Sequence, residues 1–289
     1  SNLINANNLT FMENFYLESY SEVGKKVKLS IVSEGGDKEE IWCDRLYLGA
    51  GAVNTTRIFL KSNFLFKKKI KLLSTENFFI PGISFFRSKY ENLVSQPGIF
   101  LSFLNKSISK KYIHCQVSSP NQILYKKAGM FVYKSWIVNK FISFLSSFIY
   151  IFQFNLHSDD SNFYYMSIDE EGILTTSFNE RSDIKLNRSS AAKRIFQIMK
   201  KFNVWLILPF LMLGKESKSY YVGGTIPMKK EPSRLLECDI YGKPFNHKNT
   251  FILDSANFPD IPATTFAFTI MANSSRIVEM SFLDNNDHL

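Results

Sequence analysis

FILDSANFPDIPATTFAFTIMANSSRIVEM, residues 251–280, decides how this chain is read. Phe251-Ile252-Leu253 is a short apolar run that ends on Asp254. Ser255 to Thr265 carries Pro259 and Pro262 and has no periodicity, so it reads as an irregular, stiffened loop. From Phe266 to Met280 apolar residues recur at helical spacing, with Ala267, Ile270, Met271, Ser274 and Val278 on one face. A strand that delivers an acid, then a loop, then a helix N-terminus presents backbone N–H groups to an anion or a ring heteroatom. The same residues allow a plainer reading. In it Asp254 brackets the loop, and Thr264 and Thr265 cap the last helix.

Working upstream, YVGGTIPM (221–228) is a glycine loop, and LECDIYGKPFNHKN (236–249) is a polar connection turning at Tyr241-Gly242. Near the other end, VKLSIVS (27–33) alternates as a strand and Glu34-Gly35-Gly36-Asp37 makes a turn. EIWCDRLYLG (40–49) returns as a second strand whose apolar end enters a core. Gly49-Ala50-Gly51-Ala52 follows, then a helix over 54–62. Taken alone, this is a tight strand-to-helix turn.

Between these blocks, strand-like runs cover 77–86, 99–104 and 112–117. Residues 137–156 read as helical, 163–168 and 172–178 as a hairpin, and 191–202 as a helix. There is no βαβ rhythm here, so the block reads as an α+β unit inserted into something else. Phe141, Phe144, Phe148 and Tyr150 line a pocket in one reading and fill an ordinary core in the other.

Composition bounds the function. With 45% hydrophobic and 21% charged residues in a chain of 289, a real core is available and disorder is excluded. Cys43, Cys115 and Cys238 are too few and too far apart for a disulfide scaffold or a zinc cluster. They fit a reducing, cytoplasmic setting. His114, His157, His247 and His288 lack metal-ligand spacing, so no metal is expected; His247 is expected at the surface. The charge of +9 is spread over scattered lysine pairs rather than one stripe, which argues against a nucleic-acid partner. A peripheral membrane contact is the second reading of that charge. The apolar runs 141–154 and 204–213 are shorter than a membrane span.

CDRLYLGAGAVNTTRIFLKS (43–62) resembles an internal signature of the glucose–methanol–choline (GMC) flavoprotein oxidoreductases, including the cholesterol-oxidase branch. YVGGTIPM and DIYGKPFNHKNTFILDSANFPDIPATTFAFTIMANSSRIVE resemble that family's C-terminal region in order and spacing. The resemblance implies a mixed α+β and α/β fold. Residues 1–75 and 219–289 would be parts of a Rossmann-like FAD-binding domain, and 76–218 an inserted substrate domain of β-sheet plus helices. It also implies that an upstream βαβ unit carrying G-x-G-x-x-G lies outside this sequence. The cofactor would be FAD, held by Leu17, Gly49, Ala50, Gly51, Asp254, Ser255, Ala256 and Phe266. The reaction would be hydride transfer from a small-molecule alcohol to flavin, with an electron acceptor that the resemblance does not name. The two positions at which the family places its proton-transfer residues fall on Tyr221 and Thr265. Because neither is histidine, a non-catalytic flavoprotein relative that binds or scaffolds is the alternative. His114 is the stand-in base among the four histidines.

Overall fold

The computed structural model describes residues 8–85, 99–104, 106, 109–118, 144, 147–181, 193–210, 212–213 and 221–283. Its first sheet is antiparallel, in the order β1 (Phe15–Val23), β2 (Lys26–Ser33) and β3 (Lys38–Cys43). The connection between β1 and β2 is tight, and Gly24 meets it with a φ of 62°. The sequence reading missed β1, because only Tyr20 of its nine residues is fully buried and its alternation is polar.

The strand expected over 40–49 is in fact two strands. It breaks at Asp44-Arg45, and β4 (Leu46–Leu48) leaves the first sheet to pair in parallel with β15 (Thr250–Ile252). Burial explains the split. Leu46 and Leu48 enter the core, whereas Lys38, Glu39 and Glu40 on β3 stay exposed. α1 (Ala52–Ser62) follows β4 and begins two residues before its expected start. α2 (Ala267–Leu283) follows β15.

A second sheet runs β11 (Leu174–Asn179), β10 (Phe163–Ile168), β5 (Ile70–Ser74) and β14 (Val222–Gly223). The expected hairpin is β10–β11, turning through Asp169 to Gly172. Although it lies in the middle of the chain, it joins β5. Met166 and Ile168 then share a core with Leu48, Phe59 and Ile252.

The third sheet is ordered β12 (Val204–Leu206), β6 (Asn77–Ser84), β9 (Ile149–Asn155), β8 (Ile113–Ser118) and β7 (Ile99–Phe103), with β13 (Met212–Leu213) also paired to β6. One face carries Phe78, Phe152, Phe154 and Cys115 and packs on Ile195 and Met199 from a helical stretch over 193–200. The expected helix over 137–156 is therefore corrected where residues are described, since 149–155 is β9. Ile149-Tyr150-Ile151-Phe152 is β-branched and aromatic, and a short apolar run fits either period until neighbours pair with it. Phe141 lies outside the described residues. Phe144 and Phe148 meet edge to face, with ring centroids 5.4 Å apart, and Tyr150 packs on the second core.

On α2 the apolar stripe turns away from its expected position. Ile270, Ser274, Ile277, Val278 and Ser281 are the covered side, while Ala267 and Met271 are exposed. No helix among the described residues is long and apolar enough to cross a membrane.

Candidate functional site

Asp254 lies two residues past the end of β15 and caps a 3-10 turn, Ser255–Asn257, its Oδ1 accepting from the Ala256 N–H at 2.9 Å. Its Oδ2 accepts from Thr55 Oγ1 of α1 at 2.5 Å, and the Gly51 N–H also donates to the carboxylate. Thr55 Oγ1 accepts from the Ala50 N–H at 3.2 Å. The end of β15 and the Gly49–Gly51 turn thus form one network. Burial pushes the Asp254 carboxyl above its ordinary range, and the bonds from Thr55, Ala256 and Gly51 pull it back.

Gly51 sits at φ 83° and is exposed, and a Cβ added there would meet nothing within 4 Å. α1 begins at this residue with no side-chain cap and no acid in its first turn. An uncapped first turn without an acid is an arrangement that favours an anion.

The 221–228 glycine loop runs alongside the 3-10 turn. Gly224 N donates to Ser255 O at 2.9 Å, Ile226 N to Ala256 O at 2.8 Å, and Met228 N to Asn257 O at 2.8 Å. Thr225 meets Thr56 of α1, hydroxyl to hydroxyl, at 2.6 Å. Beyond the turn, Phe266 is buried against Tyr221 and Phe258, with ring centroids 5.2 and 5.7 Å apart. Burial raises the Tyr221 phenol above its ordinary value of 10.0. At neutral pH Tyr221 is a hydrogen-bond donor and not a base. Thr265 is exposed immediately before Phe266.

The structure therefore gathers Gly49, Ala50, Gly51, Asp254, Ser255 and Ala256 in one place, with Tyr221 and Phe266 packed together beside them. Leu17 stands apart, half-buried on β1 against the first core. His247, expected at the surface, is half-buried. Its ring packs on Phe59 at 5.4 Å, and its Nε2 lies 3.2 Å from the Tyr20 hydroxyl.

Sequence reasoning missed what anchors the 255–265 loop to the middle of the chain. Ser158 N donates to Ile261 O, Ile261 N donates to Ser158 Oγ, both at 3.0 Å, and His157 Nε2 lies 3.4 Å from Asp260 Oδ1. His157 and Ser158 lie in no motif, and no short-range signal joins them to Asp260 and Ile261.

Just past the glycine loop, Glu237 holds the 229–238 segment closed. Its carboxylate accepts from Lys229 Nζ at 2.6 Å and Ser233 N at 2.9 Å, and these bonds lower its pKa from 4.5 to about 2. A carboxyl lowered by folding adds stability above its unfolded value, and that stability disappears as pH falls through the folded one. Glu237→Gln is expected to flatten the acid limb of stability between pH 4.5 and about 2. Urea midpoints across that range check it, and a variant with the wild-type slope contradicts it.

No family model matches the chain, and no curated protein matches it by sequence. Among solved structures, it is similar to pyridoxine 4-oxidase from Mesorbium loti, with a TM-score of 0.61 and 11% sequence identity. The match covers 92% of this chain and 57% of that protein. The likeness establishes a shared mixed α/β fold over a little more than half of the longer chain.

Proposed function

We propose that this chain is part of an FAD-dependent oxidoreductase of the GMC type that acts on CH–OH donors. The observation that carries this reading is the network joining Asp254, Thr55, Ala50 and Gly51, two distant blocks that must flank one cofactor if the reading holds. The likeness to pyridoxine 4-oxidase supports it at the level of fold. Gly49, Ala50, Gly51 and the α1 N-terminus would hold the anionic part of FAD, and Asp254 to Ala256 with Phe266 would flank the ring. FAD, when bound, supplies a hydride acceptor. Tyr221 donates a hydrogen bond to the alcohol oxygen and orients it. Three free thiols accord with a reducing, cytoplasmic setting.

A second reading, a flavoprotein relative that binds without turnover, draws on the absence of an imidazole at Tyr221 and Thr265. General-base help is typically worth about 10²–10⁴-fold in rate. The test is anaerobic flavin reduction by a panel of alcohols, using the full-length protein with FAD. Reduction is expected in the wild type, slower in Tyr221→Phe and faster in Tyr221→His, which restores a base near neutral pH. A full-length protein that binds no FAD overturns the reading. Bound FAD that no alcohol reduces in the wild type or in Tyr221→His favours the second.

A further inference from the structure

Ser233 stands in an irregular stretch, residues 229–234, between the glycine loop and the Leu235-Leu236 pair that packs on the first core. Every residue of that stretch except Pro232 is exposed. Pro232 fixes its own φ and disfavours the helical region for Glu231, so the approach to Ser233 is extended. Lys229 and Lys230 precede the serine and Arg234 directly follows it. An exposed hydroxyl on an extended segment with cations on both sides fits an acidic peptide-binding groove.

Beneath this exposed stretch lies a buried carboxylate. Glu237 is 5% exposed. Its Oε2 accepts from the Ser233 N–H at 2.9 Å and from the Ser233 hydroxyl at 3.4 Å. Its Oε1 accepts from Lys229 Nζ at 2.6 Å, and the Lys229 side chain is half exposed. The hydroxyl contact is long, so rotation of the serine side chain turns the oxygen outward while the N–H bond stays.

The segment is also tied to the glycine loop. Lys229 N donates to Cys238 O at 2.8 Å, Cys238 N to Pro227 O at 3.1 Å, and Cys238 Sγ to Ile226 O at 3.2 Å. Ile226 and Met228 in turn donate to the 255–257 turn. Whatever disturbs Lys229 and Glu237 therefore reaches the loop that flanks Asp254.

We propose that Ser233 is a phosphorylation site for a basophilic serine kinase, and that the phosphate acts as a charge switch on the Lys229–Glu237 pair. The serine oxygen attacks the terminal phosphorus of a nucleoside triphosphate. The new O–P bond replaces the bond to the leaving nucleoside diphosphate, and the hydroxyl proton passes to the kinase's catalytic carboxylate. A phosphoserine carries about −1.5 to −2 charges at pH 7. It repels the Glu237 carboxylate and draws Lys229 to itself, along with Lys230 and Arg234. Glu237 is then left buried without the cation that pairs with it among the described residues. The effect of the switch on a flavin site rests on the flavoenzyme reading, whereas the modification and its effect on stability do not.

The test treats the full-length protein with magnesium-ATP and one of two kinases. The catalytic fragment of protein kinase C takes basic residues on both sides of its target, and casein kinase 2 takes acidic ones. Mass spectrometry is expected to place phosphate on Ser233 with the first kinase and not with the second, and Ser233→Ala is expected to lose that phosphopeptide. Phosphorylated wild type is expected to show a folding equilibrium constant at least about fivefold lower in urea, the worth of one unit-charge repulsion at about 4 Å even in bulk water. Glu237→Gln keeps an acceptor for the Ser233 N–H and removes the charge, so phosphorylation there is expected to cost less than about twofold. No phosphate on Ser233 with the basophilic kinase, phosphate only with the acidophilic one, or an equal loss in Glu237→Gln overturns the proposal. Alcohol-driven flavin reduction in a protein that takes no phosphate at Ser233 sinks only the switch. A phosphate-dependent loss of stability in a protein that binds no FAD sinks only the flavoenzyme reading.

Discussion

Gly223→Ala is expected to destabilise the protein by at least about 3 kcal/mol, which is a large share of a domain's stability. Gly223 lies on β14, hydrogen-bonded to β5, where the glycine loop presses on the 3-10 turn after Asp254. A Cβ added there would reach the Ser255 carbonyl oxygen, with Ser255 C at 2.9 Å and Ile261 Cδ1 at 2.8 Å. An isoleucine tip can rotate away, but a backbone carbonyl held on both sides cannot. Ser255 O already accepts from Gly224 N, and Ser255 Oγ donates to Val222 O at 2.8 Å. To admit the methyl group, β14 must leave β5 or the turn must leave the loop. Either movement breaks the ladder of Gly224, Ile226 and Met228 onto 255–257. Urea unfolding measures the loss. The Gly51→Ala variant is the control, since there the difficulty is the positive φ alone and no atom stands within 4 Å. A Gly223→Ala protein as stable as wild type would show that the loop and turn separate readily.

What the sequence made legible was local. The Asp169–Gly172 turn between β10 and β11 announces itself by residue type, and so does the glycine turn before α1. β1 and β9 were not legible, for opposite reasons. β1 is too polar to show a period, and β9 is so apolar that it fits two. The α2 stripe was displaced because hydropathy ranks residues without saying which ones a neighbour covers. Met271 is apolar and 65% exposed, whereas Ser281 is polar and buried against Tyr47, hydroxyl to hydroxyl at 2.6 Å. The candidate site was legible only through its family-like blocks. Thr55 and Asp254 are 199 positions apart, and no periodicity connects them.

Asp254→Ala should cost about 3–5 kcal/mol, by leaving the Thr55 hydroxyl and the Ala256 and Gly51 N–H groups without their acceptor. Each lost bond to a charged acceptor is worth about 1.5–3 kcal/mol, and partial relaxation of the turn keeps the total below the sum. Asp254→Asn keeps an oxygen for one donor and is expected to cost about half as much. The pH dependence separates charge from shape. Burial raises the Asp254 pKa above 3.8, so the folded protein holds this proton more tightly than the unfolded chain does. A raised carboxyl stabilises the fold below the unfolded value, and that contribution is lost as pH rises through the folded one. Wild type therefore gives up part of its stability between pH 3.8 and the raised value, whereas Asp254→Asn gives up none. The gap between them should narrow as pH increases through that window and then stay constant. A gap that widens instead would mean that hydrogen bonding outweighs burial at this carboxylate. The buried acid would then be an anion the turn is built to hold.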